Sequence, residues 1–113
     1  MILLLTHDLM MTSNVSIAAR QRGISFRSVR TIEKALIMLE EGNVEILLID
    51  LQTPDFILPD LQHGLQELAT VSPPKTIAFA QHVFPDLLKQ ARSCGFDQVL
   101  TRGQFTEQIA ALI

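Results

Sequence analysis

The chain has 113 residues, the size of one domain, and its 48% hydrophobic content is enough for a single buried core. Nine Lys and Arg stand against twelve Asp and Glu, so the net charge of −3 supplies no positive field to draw the chain to nucleic acid. The longest apolar stretches, Met1 to Leu5 and Ile46 to Ile49, are too short to cross a bilayer, Met1 lacks the basic flank of a secretion signal, and the lone Cys94 has no disulfide partner, so a cytoplasmic chain is expected.

Ile2 to Leu5 is a continuous apolar run of strand length that gives way to the polar Thr6, His7 and Asp8. Met11, Val15, Ala18 and Ala19 then fall on one stripe at helical spacing, with Ser13 as candidate cap and Gly23 as stop. From Ile24 to Val29 the pattern alternates, Ile24 and Phe26 to one side, Ser25 and Arg27 to the other, as in an edge strand with one solvated side. Arg20, Arg22, Arg27 and Arg30 cluster around these elements and read as a solvated patch rather than a phosphate-binding surface. Thr31 offers an N-cap to a second helix striped by Ile32, Ala35, Leu36 and Leu39 and stopped at Gly42.

Val44 to Ile49 is almost wholly Val, Ile and Leu, the mark of a strand buried on both faces, and Asp50 follows at once. A central strand thus delivers a carboxylate to its own C-terminal end. After a loop from Thr53 to Asp60, Leu61, Leu65, Leu68 and Ala69 form a third stripe, which the doublet Pro73 and Pro74 stops. Thr76 to Ala80 reads as a fourth strand, and Pro85 with Asp86 opens a helix whose buried face is Leu87, Ala91 and Cys94, closed by Gly95. Cys94 is therefore read as packing rather than as a nucleophile. Gln98 to Leu100 makes a short fifth strand, and Phe105, Ile109 and Leu112 mark a last amphipathic helix of about two turns from Thr106.

Strands alternating with helices imply a parallel sheet covered on both faces, because each crossover is right-handed and lays its helix on one side. One polar-edged strand with the rest buried fits the order 2-1-3-4-5, an α/β, three-layer αβα sandwich of flavodoxin-like type spanning residues 1–113 as a single domain. In such sheets ligands and chemistry gather beyond the C-terminal strand ends where the order reverses, beside strands one and three. Thr6, His7, Asp8 and Asp50 are all expected there.

The run Val44 to Pro54, "VEILLIDLQTP", resembles the third strand, phospho-acceptor aspartate and following proline of response-regulator receiver domains. Gly64 and Leu65 resemble the start of that family's third helix, and Gly95 to Arg102, "GFDQVLTR", resembles its approach to the fifth strand and the lysine after it. The likeness covers nearly all of the chain. It implies that Asp50 is the candidate phospho-acceptor and Arg102 the cation that pairs with the phosphoryl charge. Elsewhere the pattern departs. The family places two acids after strand one to bind Mg²⁺; counting back from Gly23, Thr6 and His7 match them best and Asp8 lies one step beyond, which weakens Mg²⁺ binding. The switch hydroxyl after strand four is replaced by Ala80, the switch aromatic of strand five by Val99, and the proline after the lysine by Gly103.

The expected function is that of a degenerate, pseudo-receiver signalling module, non-enzymatic, acting by protein–protein interaction through helices one and four or five with another signalling protein, a histidine kinase or an effector. An alternative keeps Asp50 as a working phospho-acceptor in a two-component phosphorelay, with Asp8 or Asp55 supplying a metal oxygen and Arg102 neutralising the charge. A third reading gathers His7, Asp50 and His82 around Zn²⁺, with His63 apart in helix three. No glycine-rich phosphate loop, nucleophile elbow or second cysteine points to an enzyme, and "THDLMMTSN" without glycine, in a chain without Trp or Tyr, is a poor flavin site. No residues remain for a DNA-reading domain, so action through partners or a trimmed receiver of a larger protein is expected, and the short last helix would leave Phe105, Ile109 and Leu112 partly uncovered and favour a dimer.

Overall fold

The apolar runs form strands and the stripes form helices in the computed structural model, which describes residues 1–68 and 73–113. The elements alternate as β1 (Ile2–Leu5), α1 (Leu9–Gln21), β2 (Phe26–Val29), α2 (Ile32–Glu41), β3 (Ile46–Asp50), α3 (Leu58–Glu67), β4 (Lys75–Ala80), α4 (Pro85–Ser93), β5 (Gln98–Thr101) and α5 (Arg102–Leu112). The strands make one sheet in the order β2-β1-β3-β4-β5. Every neighbouring pair is parallel, with Leu5 level with Val29 on one side and Ile49 on the other, and Asp50 level with Phe79.

Because side chains alternate along a strand, the sheet feeds two cores. Leu3, Leu5, Leu47, Ile49, Ala78 and Ala80 pack beneath α2, α3 and α4, whereas Ile2, Leu4, Leu48, Ile77 and Phe79 pack beneath α1 and α5. Both faces are covered, which is why β1 and β3 show no alternation of polarity. The edge strand β2 keeps Arg27 and Ser28 exposed, and Arg20, Arg22 and Arg30 are exposed as well.

The stop and start signals of α2 are where the sequence puts them. Thr31 Oγ1 accepts from Lys34 N at 3.2 Å, and Gly42 ends the helix with φ 82, a conformation in which a side chain would be strained. Other expectations are corrected. Asp8, not Ser13, caps α1, accepting at Oδ1 from the amides of Met10 and Met11, so the helix starts four residues before Ser13. Helix α3 starts at Leu58, so Gly64 lies inside it rather than at its start; it ends at Glu67, with Leu68 extended as its cap. Ala69 lies outside the described residues. On α4 it is Leu88 that is buried with Ala91, while Leu87 and Cys94 are only partly covered. Helix α5 begins at Arg102 and runs 11 residues, about three turns, with Phe105 fully buried and Ile113 closing against the same core.

Candidate functional site

The pleat that feeds the two cores also aims the polar residues at the C-terminal rim. Thr6 continues the alternation of Ile2 and Leu4, and Asp50 that of Ile46 and Leu48, so both side chains turn toward the α1 and α5 side. There they meet: Thr6 Oγ1 donates to Asp50 Oδ2 at 2.7 Å, and both residues are buried. The other oxygen, Asp50 Oδ1, accepts from Gln52 N at 3.0 Å, the local turn bond that a carboxylate makes two residues on. Thr53 tightens the same turn, its hydroxyl and amide donating to the Asp50 carbonyl at 2.7 and 3.1 Å. Gln52 Oε1 in turn accepts from Gln81 N at 2.7 Å and ties the loop after β3 to the loop after β4.

Two helix starts close the pocket. Asp8 Oδ1 is spent on the cap of α1, which leaves Oδ2 to pair with Arg102 Nη2. Arg102 is the first residue of α5, fixed by a capping box in which Thr101 Oγ1 accepts from Gln104 N and Gln104 Oε1 accepts from Thr101 N. Its second nitrogen, Nη1, stands 3.6 Å from Asp50 Oδ2. The guanidinium also lies 6.0 Å from the centroid of the Phe79 ring, which is stacked on Phe105 at 4.2 Å. Among the described residues no buried side-chain polar atom lacks a hydrogen-bond partner.

The residues expected at this rim are thus only partly assembled into one site. Thr6, Asp8, Asp50 and Arg102 converge. His7 does not: its Nε2 donates to the Arg30 carbonyl at 2.9 Å and its Nδ1 faces Arg30 Nη2 at 3.3 Å, the only sense in which a carbonyl and a guanidinium can both bond one imidazole. Asp55, at φ 60 in the loop after β3, lines a hollow of about 160 Å³ with His7 and Arg30, apart from Asp50's bonds. His82 is exposed in the turn after β4, and His63 pairs on the surface of α3 with Glu67 at 3.1 Å.

The Zn²⁺ reading on His7, Asp50 and His82, and the metal set His7, Asp8 and Asp50, are therefore corrected. Among the described residues no three of His, Cys, Asp and Glu group so as to hold a metal ion. The strand pleat sends His7 to the opposite side of β1 from Asp50, and the β2 loop engages it there. Mg²⁺, the ion that the receiver likeness implies, needs several oxygen ligands at close to octahedral geometry. Asp8 and Asp50 turn one oxygen each toward a common point, but the Arg102 guanidinium stands there, paired to Asp8 and 3.6 Å from Asp50, so the residues as placed do not fit the ion. Ala80 is fully buried and brings no hydroxyl, and Val99 is partly buried in β5.

Several contacts of the site carry weaker sequence signals. The Thr6 bond to Asp50 follows from period-two counting along β1 and β3. The Gln52 tie to Gln81 and the position of Phe79 under Arg102 depend on strand register and have no local mark.

No protein-family model matches the chain, and no curated protein matches it in sequence. Its fold is nonetheless shared with many solved structures. The chemotaxis response regulator CheY4 of Vibrio cholerae superposes with a TM-score of 0.81 at 11% identity, over 98% of this chain and 92% of that one. The response regulator RPA3017 in red light signaling of R. palustris gives 0.76 at 20% identity, over 98% and 89%. The co-crystal structure of the Saccharomyces cerevisiae histidine phosphotransfer signaling protein Ypd1 with the receiver domain of Ssk1 gives 0.75 at 15% identity, over 89% and 77%. The chain has the CheY-like receiver fold of response regulators. Among the described residues no helix is long and apolar enough to cross a membrane.

Proposed function

We propose that this chain is a receiver-type signalling module that works by docking onto another protein, and that metal-assisted phosphoryl transfer to Asp50 has been lost. The observation that carries the reading is the state of Asp50. Its carboxylate is buried, one oxygen bonded by Thr6 and the other by the Gln52 amide, with the pocket's second acid already paired to Arg102. Such a pocket is satisfied without a ligand, its two acids already face the Arg102 guanidinium, and Ala80 brings no hydroxyl to receive a phosphoryl group. Exposed apolar side chains beside it, Leu9 at 77% and Met10 at 75% exposure on α1, and Val83 and Phe84 before α4, favour a protein partner over a small molecule. The receiver domain of Ssk1, co-crystallised with the phosphotransfer protein Ypd1, supports a partner of the signalling class.

A second reading, with Asp50 as a working phospho-acceptor, is favoured by one fact: the acid stands at the rim with a cation 3.6 Å away. One experiment separates the two. Incubation with acetyl phosphate and Mg²⁺, followed by intact-mass measurement, is expected to leave the mass unchanged. A stoichiometric phosphoryl adduct that Asp50→Asn abolishes would establish the second reading instead.

A further inference from the structure

We propose that the Arg102 guanidinium is the resident cation of the rim pocket, standing where a divalent ion would have to sit and closing the site against one. The inference deepens the proposed function and rests on its reading of Asp50's pocket as a receiver-type site.

The first support is the shape of the contact. Two nitrogens of one planar group face two carboxylates from different elements, Nη2 on Asp8 Oδ2 and Nη1 on Asp50 Oδ2 at 3.6 Å. An ammonium carries its donors on one nitrogen and would bring a point charge, whereas the guanidinium spreads its donors across a plane that reaches toward both acids. The second support is that the guanidinium is held from both ends. Its backbone is the first residue of α5, pinned by the Thr101 capping box, and its head lies 6.0 Å from the Phe79 ring centroid. Its side chain is only 24% exposed.

The third support is charge. Asp8 and Asp50 carry two negative charges and Arg102 returns one positive charge to the same oxygens. A divalent ion entering beside the fixed guanidinium would meet a like charge at contact distance with one surplus negative charge to compensate it. It could bind only by expelling Arg102, which would leave the guanidinium without its partners. Asp8 is further constrained, because its Oδ1 is committed to the α1 cap and cannot swing to chelate.

Mn²⁺, a paramagnetic stand-in for Mg²⁺, tests this on the full ¹⁵N-labelled chain, read as loss of amide signal for residues 6–9 and 50–53. The wild type is expected to keep these signals through a titration that erases them in Arg102→Met. The variant should bind Mn²⁺ at least about tenfold more tightly, and Asp8→Asn added to it should reverse the gain. Arg102→Gln, which also removes the charge, should show a gain in the same direction and replaces the methionine variant if that one does not fold. Rim-localised signal loss in the wild type equal to that in the variant overturns the proposal, and so does a variant that gains nothing. A wild-type chain that binds Mn²⁺ at the rim yet takes no phosphoryl group would sink the resident cation alone; a phosphoryl adduct without rim binding of Mn²⁺ would sink the proposed function alone.

Discussion

Thr6 and Asp50 are joined side chain to side chain, Oγ1 to Oδ2 at 2.7 Å, where the ends of β1 and β3 lie at the same level of the sheet. The same Thr6 oxygen accepts from Asp8 N at 3.0 Å, so one hydroxyl connects the buried acid to the start of α1. Thr6→Val keeps the shape and removes both bonds. Asp50 then loses its side-chain donor while still buried, and stability should fall by about 1–3 kcal/mol. Urea unfolding at neutral pH reads this directly, and a midpoint equal to that of the wild type would show that the hydroxyl contributes nothing. Thr6→Ser, which retains the donor, should recover most of the loss.

Asp8 has two separable roles, one per oxygen. Asp8→Asn keeps an acceptor for the Met10 and Met11 amides but removes the charge that faces Arg102. Asp8→Ala removes both. The pair is about a third exposed on the Asp8 side, so its charge contributes at most about 1 kcal/mol after solvent screening. The cap is a separate contribution of about 1 kcal/mol. Asp8→Ala should therefore be less stable than Asp8→Asn by about that amount, with the helix signal of α1 fraying first in hydrogen exchange. Equal stability of the two variants would mean that the cap bonds carry no weight.

How much of this was readable in advance depends on whether a feature is local. The strand order was legible because β3 is apolar on both faces and β2 alternates, and the ends of α1 and α2 because Gly23 and Gly42 stop a stripe. Asp50 at the rim followed from the same pattern. The role of Asp8 was not legible, because counting back from Gly23 fixes its place in the chain but not which oxygen a helix start will claim. His7 was misplaced for a related reason: its residue type suits a metal, but the pleat turns it toward Arg30 instead. Leu87 and Leu88 lie four and three residues before Ala91, both at helical spacing, so the pattern alone does not mark which of the two is the more buried on α4. The apolar pattern from Thr106 marks only about two turns of α5, because the cap of that helix, Thr101, is the last residue of the strand before it.

The contact between α2 and α3 leads to a prediction about packing rather than chemistry. A Cβ built on Gly64 would stand 2.5 Å from Leu36 Cδ1 and 2.8 Å from its Cδ2, so the glycine allows the two helices to approach. Gly64→Ala improves helix propensity by about 1 kcal/mol but forces Leu36 to move. In the Leu36→Ala background the clash is gone. The alanine should therefore be at least about 1 kcal/mol more favourable there than in the wild type, as read by a double-mutant cycle in urea. A cycle that closes to zero would show that Leu36 yields freely and that Gly64 has no packing role.

Phe105 links the site to the core. Its ring stacks on Phe79 at 4.2 Å with 12° between planes, both rings are fully buried, and Phe79 lies beneath the Arg102 guanidinium. Phe105→Ala opens a cavity under α5 and should cost about 3–5 kcal/mol. Phe105→Leu refills most of the volume and loses the ring stacking, for a smaller cost of about 1 kcal/mol. The leucine variant is the more informative of the two, since it stays folded while removing the support behind Phe79. Nuclear magnetic resonance of the Arg102 side chain should show its guanidinium signals broadened in that variant, because the stacked pair no longer holds the ring on which the head rests. Unchanged guanidinium signals in a folded Phe105→Leu chain would mean that Asp8 and Asp50 alone fix Arg102, and that the aromatic pair belongs to the core and not to the rim.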